Sequence, residues 1–140
     1  MCNLTLFAAA QLRVHGGLSD DAAEHFAASI LDNILPNYPQ DDIANDQFAA
    51  ICERGKQRAA IADWNDIAVG PAAFQSSSDA VFRWAPIADE LKCDDEEILL
   101  NSIHLRWIGV RRDLKAVFQH AAIADDWHRH GATAAQPATK

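Results

Sequence analysis

A chain of 140 residues with 49% apolar and 23% charged residues is long enough for one folded domain, and its composition excludes a disordered or collagen-like protein. The formal net charge of -8 is concentrated in residues 1–70, which hold ten acidic and four basic residues, and it disfavours non-specific binding to nucleic-acid phosphates. Three cysteines at spacings typical of neither disulfide frameworks nor zinc sites, and no long apolar run, predict a soluble cytoplasmic protein without a membrane span.

Helical patterns begin at the N-terminus, and alternating β patterns are scarce throughout. Residues 3–14 carry one apolar stripe, and Gly16 and Gly17 are typical of a helix end. Ser19 is predicted to cap a second helix, which ends before Pro36 because proline cannot continue a helix.

A third helix is predicted to begin near Asp41. Gly55 either ends it or lies inside a longer helix that reaches Ile67, and the sequence leaves both possibilities open. Gly70-Pro71 and the serines at 76–78 then indicate a flexible connection before further short helical segments.

A long helix is predicted from about Asp94 to about Gln119. Asp94 and Glu97 form a capping-box pattern at its start. Apolar residues then recur at alternating steps of three and four, which is the seam of a heptad pattern: Leu100, Ile103, Trp107, Val110, Leu114, Val117 and Ala121. We therefore expect this helix to be central and its seam to be core.

The opposite side of the long helix carries small residues seven apart, Ser102, Gly109 and Ala116. A glycine inside a helix costs about 1 kcal/mol relative to alanine, so Gly109 predicts a close packing partner. That partner is either the rest of the domain or a second chain. The overall expectation is an all-α, single-domain bundle of about five to six helices over residues 1–130, with a flexible tail at 131–140.

Candidate catalytic groups are sparse. Asp125, His128 and His130 have metal-ligand residue types, but no second pair on another helix completes a site, so no specific metal site or cofactor is predicted. The acidic pairs at 21 with 24 and at 63 with 66 allow an alternative, a magnesium-dependent all-helical nucleotide hydrolase. With no nucleophile motif and no phosphate-binding loop, no catalytic residue is assigned, and an enzyme is the less favoured reading.

The basic residues of the long helix are Arg106, Arg111, Arg112 and Lys115. They allow a second alternative, a nucleic-acid-binding module, although four cations are few for strong phosphate binding.

Arg83 and Trp84 have the residue types most enriched at binding hot spots, so they join the small and basic residues of the long helix as predicted partner contacts. The sequence thus favours a non-enzymatic protein–protein interaction domain, such as a small acidic regulator, adaptor, complex subunit or phage-type inhibitor. Its partner is another protein of unknown identity, and homodimerisation is possible.

Overall fold

A computed structural model describes residues 2–34, 45–69, 72–84 and 86–131, and these ranges contain helices and no strand, which confirms the all-α class. Eight α-helices lie within them: α1 (Cys2–His15), α2 (Asp20–Ser29), α3 (Asn45–Ala60), α4 (Trp64–Val69), α5 (Ala72–Trp84), α6 (Asp89–Asp94), α7 (Glu96–Val117) and α8 (His120–Asp126). A π-helical turn continues α2 over Ile30–Ile34, and another continues α8 over Trp127–Gly131. No helix of these ranges is long and apolar enough to cross a membrane.

The chain divides into two compact units, which are described separately. The first unit contains residues 1–68 and 119–140, and the second contains residues 69–118. The single domain expected over residues 1–130 stays a prediction. The tail expected at 131–140 lies outside the described residues from position 132 onward.

In the first unit, α1 is the most deeply buried helix. Leu6, Phe7 and Leu12 are at most 1% exposed, and α2, α3 and α8 pack around α1. The alanines at 8–10 are also buried, and their small side chains let neighbouring helices approach closely. Helix α1 is therefore the central helix of the first unit. The sequence pattern predicted a central position for the long helix, which belongs to the second unit.

The connection from α1 to α2 follows the sequence expectation. The carbonyl of Leu12 accepts hydrogen bonds from the amides of Gly16 (2.9 Å) and Leu18 (3.3 Å). Gly17 reverses the chain at φ +80°, a conformation that favours glycine. The Ser19 hydroxyl accepts from the Ala22 amide at 3.2 Å, which confirms the predicted N-cap.

Helix α3 runs through Gly55 but ends at Ala60, and Ile67 belongs to the separate helix α4, so neither of the two predicted ends is correct. A Cβ at position 55 would lie 2.9 Å from Leu31 Cδ1 and 3.3 Å from Cys2 Sγ, so glycine permits α3 to pack closely there. The predicted start of this helix near Asp41 lies outside the described residues.

A small apolar cluster around Leu31 and Cys52 lies between α3 and the π-helical turn that continues α2. Burial is the main cause that raises the pKa of the Cys52 thiol, with smaller contributions from Cys2 and Asp32. Beside the cluster, Lys56 Nζ lies 2.9 Å from both Glu53 Oε2 and Asp32 Oδ1. Hydrogen bonds to these two carboxylates raise the pKa of Lys56.

The second unit places α5 and α6 against α7. Asp94 is the last residue of α6, and Asp95 precedes α7 without a side-chain hydrogen bond to the helix start. The predicted capping box of Asp94 with Glu97 is therefore wrong, because Asp94 already has helical backbone in the preceding segment. The long helix ends at Val117, slightly before the expected Gln119.

Candidate interaction surface

The inner side of α7 is defined by an aromatic stack. Phe74 and Ser78, four residues apart on α5, are almost completely buried. The indole of Trp107 stacks on the ring of Phe74 with centroids 4.7 Å apart and planes inclined by 12°. Offset stacking at this separation is a favourable aromatic arrangement, so Trp107 fixes which side of α7 faces α5.

The heptad seam predicted from sequence lies on this inner side but is only partly covered. Leu100, Ile103, Trp107 and Leu114 are half-buried, and Val110 is exposed. The Val117 side chain lies outside the described part, and Ala121 belongs to α8. The expectation of a fully buried seam is therefore too strong, because α5 and α6 are short and cover little of a 22-residue helix.

The outer face of α7 is the side opposite Trp107, at about 100° of rotation per residue. Ile98 and Leu105 lie there, seven residues apart, and they are 65% and 67% exposed. Ser102, Arg112 and Ala116 on this face are also exposed. We use the name outer face for Ile98, Ser102, Leu105, Gly109, Arg112 and Ala116.

Gly109 occupies the middle of the outer face. No described atom lies within 4 Å of the position that a Cβ would take there, apart from the helix backbone itself. The close intramolecular packing that the sequence predicted at Gly109 is therefore not found in the described part of the chain. The space in front of the glycine is open.

The basic residues of α7 differ in their surroundings. Arg112 lies 3.0 Å from Asp113, and both side chains are largely exposed. Arg106 and Lys115 are exposed. Arg111 is half-buried and lines a cavity, and the phosphate-binding alternative stays a prediction.

This cavity of about 210 Å³ lies within the second unit and is lined by Phe74, His104, Trp107, Ile108 and Arg111. Trp107 Nε1 and His104 Nε2 are buried from solvent and have no hydrogen-bond partner among the described residues. Because these nitrogens are inaccessible, the cavity offers a ligand mainly carbon surface. The sequence analysis did not identify Phe74 and Ile108 as lining residues. The spacing of four residues between His104 and Ile108 places both on one side of α7 and was a signal for Ile108.

The predicted contact at Arg83 and Trp84 lies at the end of α5. Arg83 is exposed, and its carbonyl accepts a hydrogen bond from Lys92 Nζ at 3.3 Å, which links α5 to α6. The Trp84 side chain lies outside the described part, so its predicted role stays a prediction.

Most of the residues considered for metal binding lie at the end of α8, in the π-helical turn that follows it, and at the start of α4. Asp125 and His128 are exposed, and His130 Nε2 lies 3.8 Å from Asp126 Oδ1. Within the described ranges no three His, Cys, Asp or Glu side chains converge on a possible metal position. Asp63, from the acidic pairs, accepts from the amides of Asn65 (3.0 Å) and Asp66 (3.1 Å) at the start of α4. This geometry is that of a helix cap.

Comparison of the chain with protein-family models, curated proteins and solved structures gives no match. Its class is defined by its own geometry, an all-α protein in which the longest helix of the described residues carries an exposed apolar face. That face is therefore the candidate interaction surface.

Proposed function

We propose that the chain is a non-enzymatic interaction protein that binds another protein through the outer face of α7. The observation that carries this proposal is the exposure of Ile98 and Leu105, each about two-thirds open to solvent on one side of a continuous helix. A single exposed leucine is ordinary, but two large aliphatic residues in heptad register form a stripe that a facing helix can cover.

The small residues between them support a helical partner. Ser102, Gly109 and Ala116 leave room for another backbone to approach, and Gly109 has open space in front of it. The helix-forming cost of a mid-helix glycine is then offset by contact in the complex rather than within the chain.

The charges on α7 specify the chemistry of the partner. Two acidic residues, Glu96 and Glu97, lie in the first turn of the helix and two more, at 94 and 95, directly precede it, whereas most of its basic residues lie in the second half. A matching partner presents an apolar helical stripe with basic residues near one end and acidic residues near the other. This bipolar pattern favours a protein partner over nucleic acid, which would meet repulsion at the acidic end.

We extend the proposal to three further properties that the sequence favoured: the described helices form a bundle, the protein acts in the cytoplasm, and a homodimer is one of its complexes. Cys93 carries an exposed free thiol, which a reducing compartment preserves.

Affinity capture with matched variants tests the proposed function. The wild-type chain, Leu105→Asp and Val81→Asp are immobilised at equal density and exposed to extract of the native host. Val81 is 46% exposed on α5 and lies off the outer face, so Val81→Asp controls for adding a charge to an exposed apolar position.

We expect at least one protein, a second copy of the chain included, to bind the wild type and Val81→Asp and to be lost with Leu105→Asp. Unchanged capture by Leu105→Asp would contradict the assignment of the outer face. Far-UV circular dichroism of each variant verifies that the helices remain folded.

A further inference from the structure

We infer that a second copy of this chain is a partner of the outer face, and that the two α7 helices pair in antiparallel orientation with their twofold axis level with residue 107. This inference rests on the proposed function, because it names the occupant of the same surface. It follows from the order of large, small and charged residues along the face.

The outer face is complementary to itself when it is reversed. In an antiparallel pair centred on residue 107, a residue that precedes 107 by a given number of positions lies level with the residue that follows 107 by the same number in the other copy. Ile98 of one copy then lies level with Ala116 of the other, and Leu105 lies level with Gly109. Each large exposed side chain meets a small one, which is the requirement for close helix packing. The two ends of this stripe are roughly 27 Å apart, at about 1.5 Å per residue.

The charges select the same orientation. Glu97 and Lys115 lie on the same flank of the outer face, and in the antiparallel pair Lys115 of one copy is level with residue 99 of the other. Only about 3 Å along the helix axis then separates the levels of Glu97 and Lys115, at about 1.5 Å per residue. Two such contacts arise from the symmetry. A parallel pair would instead bring Ile98 against Ile98. It would also place Glu97 and Lys115 of the two copies on opposite sides of the interface and 18 residues apart in level, so the Glu97–Lys115 contacts would be lost.

One contact of the pair is unfavourable. Arg106 lies on the other flank, one residue from the axis, so the two copies of Arg106 face each other. Two variants compare the repulsion at Arg106 with the attraction at Lys115. Arg106→Gln and Lys115→Gln each remove one positive charge from an exposed position of the same helix. The first removes a repulsion across the axis, and the second removes an attraction to Glu97.

Sedimentation velocity of the full chain from roughly 1 to 200 µM measures the association, a range that covers typical weak to moderate affinities. We expect a concentration-dependent dimer in which Arg106→Gln lowers the dissociation constant and Lys115→Gln raises it, each about threefold. Leu105→Asp should raise the dissociation constant more than tenfold, as removal of a central apolar contact does. Val81→Asp should leave it unchanged.

Cysteine cross-linking tests the antiparallel orientation of the two α7 helices. In a Cys93→Ser background, Ile98→Cys and Ala116→Cys are oxidised separately and as an equal mixture. We expect an interchain disulfide in the mixture and little in either chain alone, because the antiparallel register places position 98 next to position 116 only. Disulfide formation by Ile98→Cys alone at the rate of the mixture would overturn the antiparallel arrangement.

The failures of the two proposals are distinguishable. A wild-type chain that stays monomeric at the highest concentration overturns self-pairing. The proposed function survives that result if Leu105→Asp still loses a captured host protein, and it fails together with self-pairing if capture is also unchanged. Since Ile98, Leu105 and Ala116 are exposed, circular dichroism spectra of the variants should match the wild type. Melting curves should match as well when they are recorded at low micromolar concentration, where dimerisation does not stabilise the wild type.

Discussion

The ring of Phe74 lies nearly parallel to the indole of Trp107, with centroids 4.7 Å apart, and this contact joins α5 to α7. Phe74 is 1% exposed, whereas Trp107 is half-buried on the longer helix. The orientation of α7, and therefore the side on which Ile98 and Leu105 are exposed, depends on this stack.

Phe74→Ala should destabilise the second unit strongly. Replacing a buried phenylalanine by alanine typically lowers the free energy of unfolding by about 3–5 kcal/mol. An aromatic stack contributes about 1 kcal/mol beyond the burial of apolar surface. Trp107→Phe should cost roughly 1 kcal/mol or less, since it keeps an aromatic ring and removes an indole N–H that is buried without a partner among the described residues. Urea denaturation of both variants, followed by circular dichroism, provides the comparison. Equal losses would argue against the stack as the main contact.

Two glycine substitutions should change stability in opposite directions. Gly109→Ala should stabilise the monomer by about 1 kcal/mol, because alanine favours the helix and no described atom obstructs its Cβ. Gly55→Ala should destabilise by about 1 kcal/mol, because its Cβ would lie 2.9 Å from the completely buried Leu31 and overpacking outweighs helix propensity. Thermal melts at low micromolar concentration keep the Gly109 measurement free of dimer effects. Stabilisation by both substitutions would contradict the close approach at Gly55.

Ser19→Ala should lower the stability of the first unit by about 1 kcal/mol, because the Ala22 amide loses its hydroxyl partner. Ser19→Asp is the matched control: its carboxylate can accept the same bond and interacts favourably with the helix N-terminus, so stability should be retained. Chemical denaturation monitored by circular dichroism measures both. A loss of equal size in Ser19→Asp would show that the position acts through something other than capping.

Cys93 and Cys52 should react with iodoacetamide at clearly different rates. Cys93 is exposed and should be alkylated first, and Cys52 should resist until the protein unfolds, because it is 6% exposed and its pKa is raised by burial. Peptide mass spectrometry over a time course at pH 8 measures each site. Alkylation of Cys52 as fast as Cys93 in native protein would contradict the packing of Cys52 against Leu31.

The same raised pKa predicts a loss of stability in alkali. The ordinary pKa of the thiol is 9.0, and the folded state holds the pKa of Cys52 above that value. The stabilising effect of the protonated thiol is therefore fully present below pH 9 and decreases as the pH rises toward the folded-state pKa, because only the unfolded chain releases the proton. Urea midpoints of wild type and Cys52→Ala between about pH 8 and 10 should converge as pH rises. Parallel curves would argue against this linkage.

Local sequence signals determined much of the helical structure. The N-cap at Ser19, the turn at Gly16 and Gly17, and the heptad spacing of the long helix each depend on residues a few positions apart, and each is found in the fold. The capping box predicted at Asp94 is wrong because the residues before it also form a helix, α6, which includes Asp94. A local pattern does not show whether the preceding segment is helical.

The sequence by itself thus determined the all-α class, the heptad register of α7 and the small residues on the side opposite Trp107. Only the tertiary structure decided that α1 is the buried helix of the first unit, that Gly55 admits Leu31, and that Ile98 and Leu105 remain exposed. Periodicity fixes which residues share a side of a helix. Which side is covered depends on the length and position of other helices, and these involve residues far apart in the chain.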